Sequence, residues 1–226
     1  MTRYIPNFLT CCNLLCGCIG IVFCLENRAA PAAYFVWAGG VFDFFDGFAA
    51  RLLKVSSPTG KELDSLADVV TFGILPSLVM YKMIGAATSN EWLPYFAFLI
   101  AVFSALRLAV FNVDETQHDS FKGLNTPANT VFITSLVFLP ASLNDWVQQD
   151  WVLILITLVF SLLMVSRIDM IAFKFKNFSW ADNKARFTFL PVAVLLIILM
   201  GKAALPFIIL FYILFSLVSK ALRWVG

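Results

Sequence analysis

The sequence predicts an all-α, polytopic membrane bundle of about eight transmembrane helices, with both termini cytoplasmic. Three observations lead there. Of 226 residues, 61% are hydrophobic and only 13% charged. The mean hydropathy is +0.87. The cations gather on one side of the chain's apolar runs. A soluble domain is nearer half apolar and about a quarter charged. The formal net charge of +2 gives no basic field for nucleic acid, and no nucleic-acid partner is expected.

A spanning helix needs about 20 mostly apolar residues, and eight stretches approach this: 8–25, 31–53, 64–83, 92–111, 127–143, 151–167, 187–200 and 203–221. The first follows Arg3 and holds all five cysteines, Cys11, Cys12, Cys16, Cys18 and Cys24. No His accompanies them, so they read as small packing thiols rather than metal ligands. Leu15-Cys16-Gly17-Cys18 mimics a lipoprotein cleavage box, yet the polytopic remainder makes this run a retained span. The fifth and seventh stretches are short, and Gly201-Lys202 separates the last two. Only 112–126 and 168–186 are long connections, and no linker or repeat divides the chain, so 1–226 reads as one domain. Trp92, Trp146, Trp151 and Trp224 fall near helix ends, where amphipathic rings favour the interface.

With the N-terminus inside and eight crossings, Arg28, Lys82 and Lys202 fall outside, and the other 13 of the 16 Lys and Arg residues fall inside. These include Arg3, Lys174, Lys176 and Arg223. Such a bias fixes orientation.

Four carboxylates interrupt the apolar pattern. Asp43 and Asp46 lie within the second stretch, and Asp64 and Asp68 open the third. An ionised residue in a span is costly unless paired or hydrated. Spacings of three and four put each pair on one helix face, and a short connection brings the two faces together. Four converging negative charges call for hard cations. Mg²⁺ or Mn²⁺ suits carboxylate oxygen, and two divalent ions match four carboxylates, an arrangement used in phosphoryl chemistry. Gly47 and Ala50 leave room for a ligand beside the helix, Arg51 offers a planar fork for phosphate, and Gly60, Lys54 and Lys61 follow. The competing reading of the acids is a structural ion-pair network with Arg51, Lys54 and Arg107. Gly39 and Gly40 read as helix-packing residues.

The run Asp43-x2-Asp46-Gly47-x2-Ala50-Arg51-x8-Gly60-x3-Asp64-x3-Asp68 resembles the full signature of the CDP-alcohol phosphotransferases. The resemblance implies metal binding by Asp43, Asp46, Asp64 and Asp68, with Asp68 as the candidate catalytic base. It also implies cytidine-nucleotide binding around Gly47, Ala50, Arg51 and Gly60, and a homodimer. Further segments are similar to the phosphatidylserine synthase branch. Ile5-Pro6-Asn7-x-Leu9-Thr10-x2-Asn13-Leu14 matches its N-terminal segment, which puts Asn7 and Thr10 beside CDP-diacylglycerol. Thr71-Phe72-Gly73-x2-Pro76, Arg107-Leu108-Ala109, Phe111-Asn112 and Phe121-Lys122-Gly123-Leu124-x2-Pro127-Ala128 also fit, although Asn125 stands where that branch has Pro.

This branch implies transfer of a phosphatidyl group from CDP-diacylglycerol to L-serine at the cytoplasmic face of an inner membrane. Arg107 and Lys122 are then candidates for the serine carboxylate, and Asn112, Asn125 or an Asp for its ammonium. His118 lies in a polar loop and receives no role. The rival readings are the same chemistry on glycerol 3-phosphate or inositol, for which a phosphorylated acceptor demands a denser basic cluster, and a cation transporter. Transport sites sit near the membrane midplane, whereas Asp64 and Asp68 open a helix.

Overall fold

The computed structural model describes residues 4–55, 57–113, 121–171 and 180–221. Arg3, His118, Lys174, Lys176, Arg223 and Trp224 lie outside the described residues.

Helix α1 (Ile5–Leu25) starts with a proline in its first turn, where the missing N–H costs nothing. The chain reverses at Asn27, which takes φ 59°, and α2 (Ala29–Leu52) returns along α1. Small residues let these helices and the third approach closely. A β-carbon at Gly17 would lie 2.4 Å from Thr71 Oγ1, and one at Gly39 2.7 Å from Thr71 Cγ2. Gly39 is thus a packing residue, as expected. Gly40 has more room, 3.8 Å from the Phe72 ring.

After a left-handed turn at Lys54 (φ 52°), Ser57 caps α3 (Pro58–Asp68) by accepting a hydrogen bond from the Gly60 N–H. The helix then widens into a π-helical segment, Val69–Ile74, before α4 (Leu75–Ala87). Pro76 accounts for the widening. It has no N–H to give to the Phe72 carbonyl one α-turn back, and its ring crowds that carbonyl. The Leu75 N–H accordingly reaches Val70 O, five residues back. The released Phe72 carbonyl accepts from Thr130 Oγ1 at 2.8 Å and from Ser104 Oγ at 3.5 Å. Two neighbouring helices thereby replace the lost backbone bond.

A 3₁₀ turn, Leu93–Phe98, leads into α5 (Leu99–Val113). Strand β1 (Phe121–Lys122) pairs antiparallel with β2 (Asp169–Met170), with Lys122 opposite Asp169. Between them lie α6 (Thr126–Ser135), α7 (Ala141–Val147) and α8 (Asp150–Met164). The fifth apolar stretch, expected as one run over 127–143, is broken. A 118° bend separates Thr126–Phe138 from Ala141–Val147, because Pro140 cannot continue the helix.

Helix α9 (Trp180–Met200) joins α10 (Leu205–Ala221) through a 3₁₀ turn opened by Gly201 at φ 57°. The two form a hairpin. The rings of Phe189 and Phe211 stack at 5.4 Å, although about 33 Å would separate them on one straight helix. The expected break at Gly201-Lys202 is therefore present.

Helices dominate the described residues, the two-residue strand pair excepted. Four helical stretches among them are long and apolar enough to cross a membrane: Ile5–Leu25, Pro58–Ala87, Leu93–Val113 and Phe187–Ser219, the last of which holds the turn of the α9–α10 hairpin. The bent pair makes a fifth. Helix α2 has 24 residues, but Asp43, Asp46 and Arg51 dilute its hydropathy. The α3–α4 helix runs through the centre, where Phe72, Leu75, Met80 and Ile84 are fully buried against Ile100, Ile133 and Leu153.

Candidate active site

The short turn after α2 folds α3 back so that the two acidic faces meet. Ligand oxygens of Asp43, Asp64 and Asp68 all lie within 4.8 Å of one another. Asp46 stands to one side as a charged neighbour of Asp43 and Asp64. Its Oδ2 accepts from Thr10 Oγ1 at 2.6 Å, so the convergence is of three acids with the fourth beside them. Asp68 Oδ1 accepts from Asn13 Nδ2 at 3.1 Å. Among the described residues, the buried Asp64 Oδ1 has no hydrogen-bond partner. The structural ion-pair reading fails on contacts: among the described residues no ion pair joins Asp43, Asp46, Asp64 or Asp68 to Arg51, Lys54 or Arg107. Carboxylate oxygens grouped this closely, one of them buried and unsatisfied, suit hard divalent cations.

A cavity of about 330 Å³ opens beside the cluster. Seven site residues named from the sequence line it: Asn7, Thr10, Asp46, Gly47, Ala50, Gly60 and Asp64. At Gly47 a β-carbon would meet nothing within 4 Å, so the helix backbone faces open space there. Gly60 differs. A β-carbon would lie 2.9 Å from Asn7 Oδ1 and 3.0 Å from Ser57 Oγ, which makes that glycine part of the wall. Arg51 is not on the lining. Its Nε donates to the Gly47 carbonyl at 3.0 Å, which holds the exposed side chain along α2. Lys61 lines the cavity, and its Nζ donates to Asn112 O at 2.6 Å.

A second cavity, about 380 Å³, brings Arg107 and Lys122 together with Ser166 and Arg167. Arg107 is only 9% exposed. Its foremost charged neighbour is Asp68, its guanidinium carbon stands 5.9 Å from the Phe111 ring centre, and its Nε has no partner among the described residues. Lys122 reaches this position through backbone pairing. The Gly123 N–H bonds Ile168 O at 2.8 Å, and the Leu124 N–H bonds Leu163 O at 3.0 Å. Gly123 itself sits at φ +75°, where a β-carbon would lie 2.5 Å from Met164 O. No other residue fits there without moving the backbone.

Two expected residues are placed elsewhere. Asn112 Nδ2 donates to Ser65 Oγ at 2.7 Å, tying α5 to α3, and does not line this cavity. Asn125 caps α6, its Oδ1 accepting from the Ala128 N–H at 2.7 Å. That explains how Asn replaces Pro at this position: Asn is among the best N-caps. Sequence reasoning missed Asn13 and Arg167 as site residues, and placed Lys61 only in the loop that follows the phosphate-suited run. Asn13 lay in a matched segment without a role, while Arg167 counted only as an orientation-setting cation.

Comparison with known proteins identifies the family of the chain. A sequence profile described as CDP-alcohol phosphatidyltransferase matches residues 3–163, which include all four acids. The chain is 36% identical over 140 residues to a CDP-diacylglycerol–serine O-phosphatidyltransferase of Bacillus subtilis, covering 60% of this chain and 76% of that protein. It is 29% identical over 222 residues to the enzyme of the same name from Mycobacterium leprae, covering 95% and 72%. With that of Mycobacterium tuberculosis it shares 32% over 176 residues, covering 74% of this chain and 61% of that protein. On the profile match, and on the eight signature positions that fall within it, this chain belongs to the CDP-alcohol phosphatidyltransferase family.

Proposed function

We propose that this chain transfers the phosphatidyl group of CDP-diacylglycerol to the hydroxyl of L-serine, releasing CMP. The observation that carries the reading is the group of three carboxylates within 4.8 Å, beside a cavity whose wall at Gly47 is bare backbone. The names of the relatives supply the acceptor.

Asp43, Asp64 and Asp68, with Asp46 beside them, would hold two divalent cations, Mg²⁺ or Mn²⁺. When bound, these would neutralise the diphosphate and stabilise charge on the leaving oxygen. The nucleotide and its diphosphate occupy the cavity of Asn7, Thr10, Gly47, Ala50 and Gly60. Arg51, at the end of α2, swings from Gly47 O toward phosphate as a clamp. Asp68 accepts the serine hydroxyl proton as general base. The serine oxygen bonds to the phosphorus that carries diacylglycerol, the bond from that phosphorus to the CMP oxygen breaks, and CMP leaves. Arg107 and Lys122 hold the serine carboxylate. Asn112 acts at a distance, fixing α3 through Ser65, and leaves the ammonium to the carboxylates.

Eight crossings with both termini cytoplasmic complete the reading, and α2, α8 and the two arms of the α9–α10 hairpin support that count. The site then faces the cytoplasm at an inner cell membrane, and CDP-diacylglycerol reaches it from surrounding lipid. The homodimer rests on the family resemblance.

One observation favours a second reading. Arg167 makes three cations around the acceptor cavity, the denser cluster that a phosphorylated acceptor such as glycerol 3-phosphate would need. Purified protein incubated with labelled CDP-diacylglycerol and a panel of serine, glycerol 3-phosphate and inositol decides. Serine-dependent CMP release is expected. Release with glycerol 3-phosphate instead of serine would reassign the acceptor.

A further inference from the structure

Helix α1 treats the four acids unequally. Thr10 and Asn13 are three residues apart and both buried, 3% and 0% exposed. Each gives a neutral hydrogen bond to one acid of a different pair: Thr10 to Asp46 of α2, Asn13 to Asp68 of α3. Among the described residues no α1 side chain is recorded donating to Asp43 or Asp64. Asn13 is firmly seated. Its carbonyl accepts from Thr71 Oγ1 at 3.1 Å, which fixes its backbone to the π-helical segment just beyond Asp68. Gly39 closes in on the far side, where a β-carbon would fall 2.9 Å from Asn13 Oδ1. The carboxamide is also oriented by charge: turned over, it would present its oxygen to the Asp68 carboxylate, so only Nδ2 fits toward the acid.

We infer that Asn13 is a positioning residue for the reaction, setting the direction in which Asp68 presents its carboxylate to the acceptor hydroxyl. The inference rests on the reading of Asp68 as the base. A neutral amide suits this task. It adds no charge to an already acidic cluster, and it fixes one carboxylate oxygen while leaving the rest of the group to face the site. A cation at the same place would pair with Asp68 and remove it from the chemistry.

The experiment compares Asn13→Leu, which fills the volume without a donor, with Asn13→Ala, which leaves a hole, and with wild type. The assay uses whichever acceptor supports CMP release by the wild-type protein, so a wrong acceptor defeats the serine reading without touching this one. Asn13→Leu is expected to lower kcat about 10- to 100-fold, the scale of one hydrogen bond to a charged group. The KM and equilibrium binding of CDP-diacylglycerol should stay within about threefold, and the unfolding temperature should not fall. A purely structural role predicts another pattern, with Ala failing in proportion to lost stability and Leu retaining turnover. Should Asn13→Leu keep kcat within about threefold of wild type, or lose nucleotide binding and turnover together, the positioning role is wrong. If Asn13→Leu does not fold, Asn13→Ala carries the test by the same measurements, its turnover read against its own unfolding temperature. Folded Asn13→Ala that keeps kcat within about threefold of wild type would equally show the positioning role to be wrong.

Discussion

Substituting alanine for Gly47 separates the demands of the fold from those of the ligand. Gly47 lies inside α2, where glycine costs about 0.5–1 kcal/mol relative to alanine. A β-carbon there meets nothing within 4 Å, so the protein alone gives no reason for glycine. Gly47→Ala should therefore stabilise the helix by about that amount. For a chain of this size, about 1 kcal/mol moves the melting temperature by about 2–4 °C, so a rise of about 1–4 °C is expected. If the nucleotide fills the space beside Gly47, the added methyl overpacks that contact by about 1–3 kcal/mol, which is about 5- to 150-fold in affinity. The assay pairs thermal unfolding of the purified protein with the KM for CDP-diacylglycerol. A higher melting temperature with an unchanged KM would show that no ligand approaches Gly47, and the nucleotide cavity would have to be sought elsewhere. Gly60→Ala is the comparison. Its β-carbon would displace Asn7 Oδ1 and the Ser57 Oγ cap, so it should raise the melting temperature less than Gly47→Ala does.

Excess chelator should abolish CMP release, and Mg²⁺ or Mn²⁺ should restore it; full turnover in verified metal-free protein would exclude the divalent mechanism. Asp68→Asn should lose about 10² to 10⁴ in turnover, the usual weight of a general base, while keeping measurable CDP-diacylglycerol binding, and near-normal turnover would move the role to Asp64. Arg107→Ala and Lys122→Ala should raise the serine KM more than they weaken nucleotide binding, and wild-type serine KM in both would withdraw those assignments. On a background free of native cysteine, a Cys at Asn90 should react with an impermeant reagent outside intact cells and one at Ser57 should not; the reverse would invert the topology.

Much of this was legible because it is local. Hydropathy located most of the helices to within a few residues, since apolar runs and Pro, Gly and Asn boundaries act over neighbouring positions. The acidic spacing put each pair on one face, and the short 53–57 connection left the two faces little choice but to meet. What escaped was long-range or depended on side-chain direction. Nothing near Asn13 announces that its amide will meet Asp68, 55 positions away. Arg167 counted as an orientation signal because its meeting with Arg107 and Lys122 depends on the β1–β2 pairing, which two-residue strands barely mark. Asn112 and Asn125 looked suited to an ammonium by type, but Asn112 stands off the lining of the acceptor cavity with its Nδ2 on Ser65, and the Asn125 oxygen is taken by a helix cap. The three-to-one split of the acids was hidden for the same reason, since Asp46 stands apart in a hydrogen bond with Thr10, 36 positions away.

The widened turn between Asp68 and Pro76 acts as a slack link in the central helix. A π-helical stretch accommodates one residue more than the α-helix it interrupts, and it takes that residue up locally, so the helices on either side keep their facing. Deleting one residue from Val69–Ile74 would close the turn with Asp64 and Asp68 still toward Asp43, and would cost the free Phe72 carbonyl that Thr130 and Ser104 hold. A deletion within the regular turns of Leu75–Ala87 has no such slack. Each α-helical residue turns the chain by about 100°, so that loss would swing the acids away from Asp43 while the rest of α4 stayed seated. Single-residue loss in this helix should therefore be tolerated within Val69–Ile74 and not in the turns of α4.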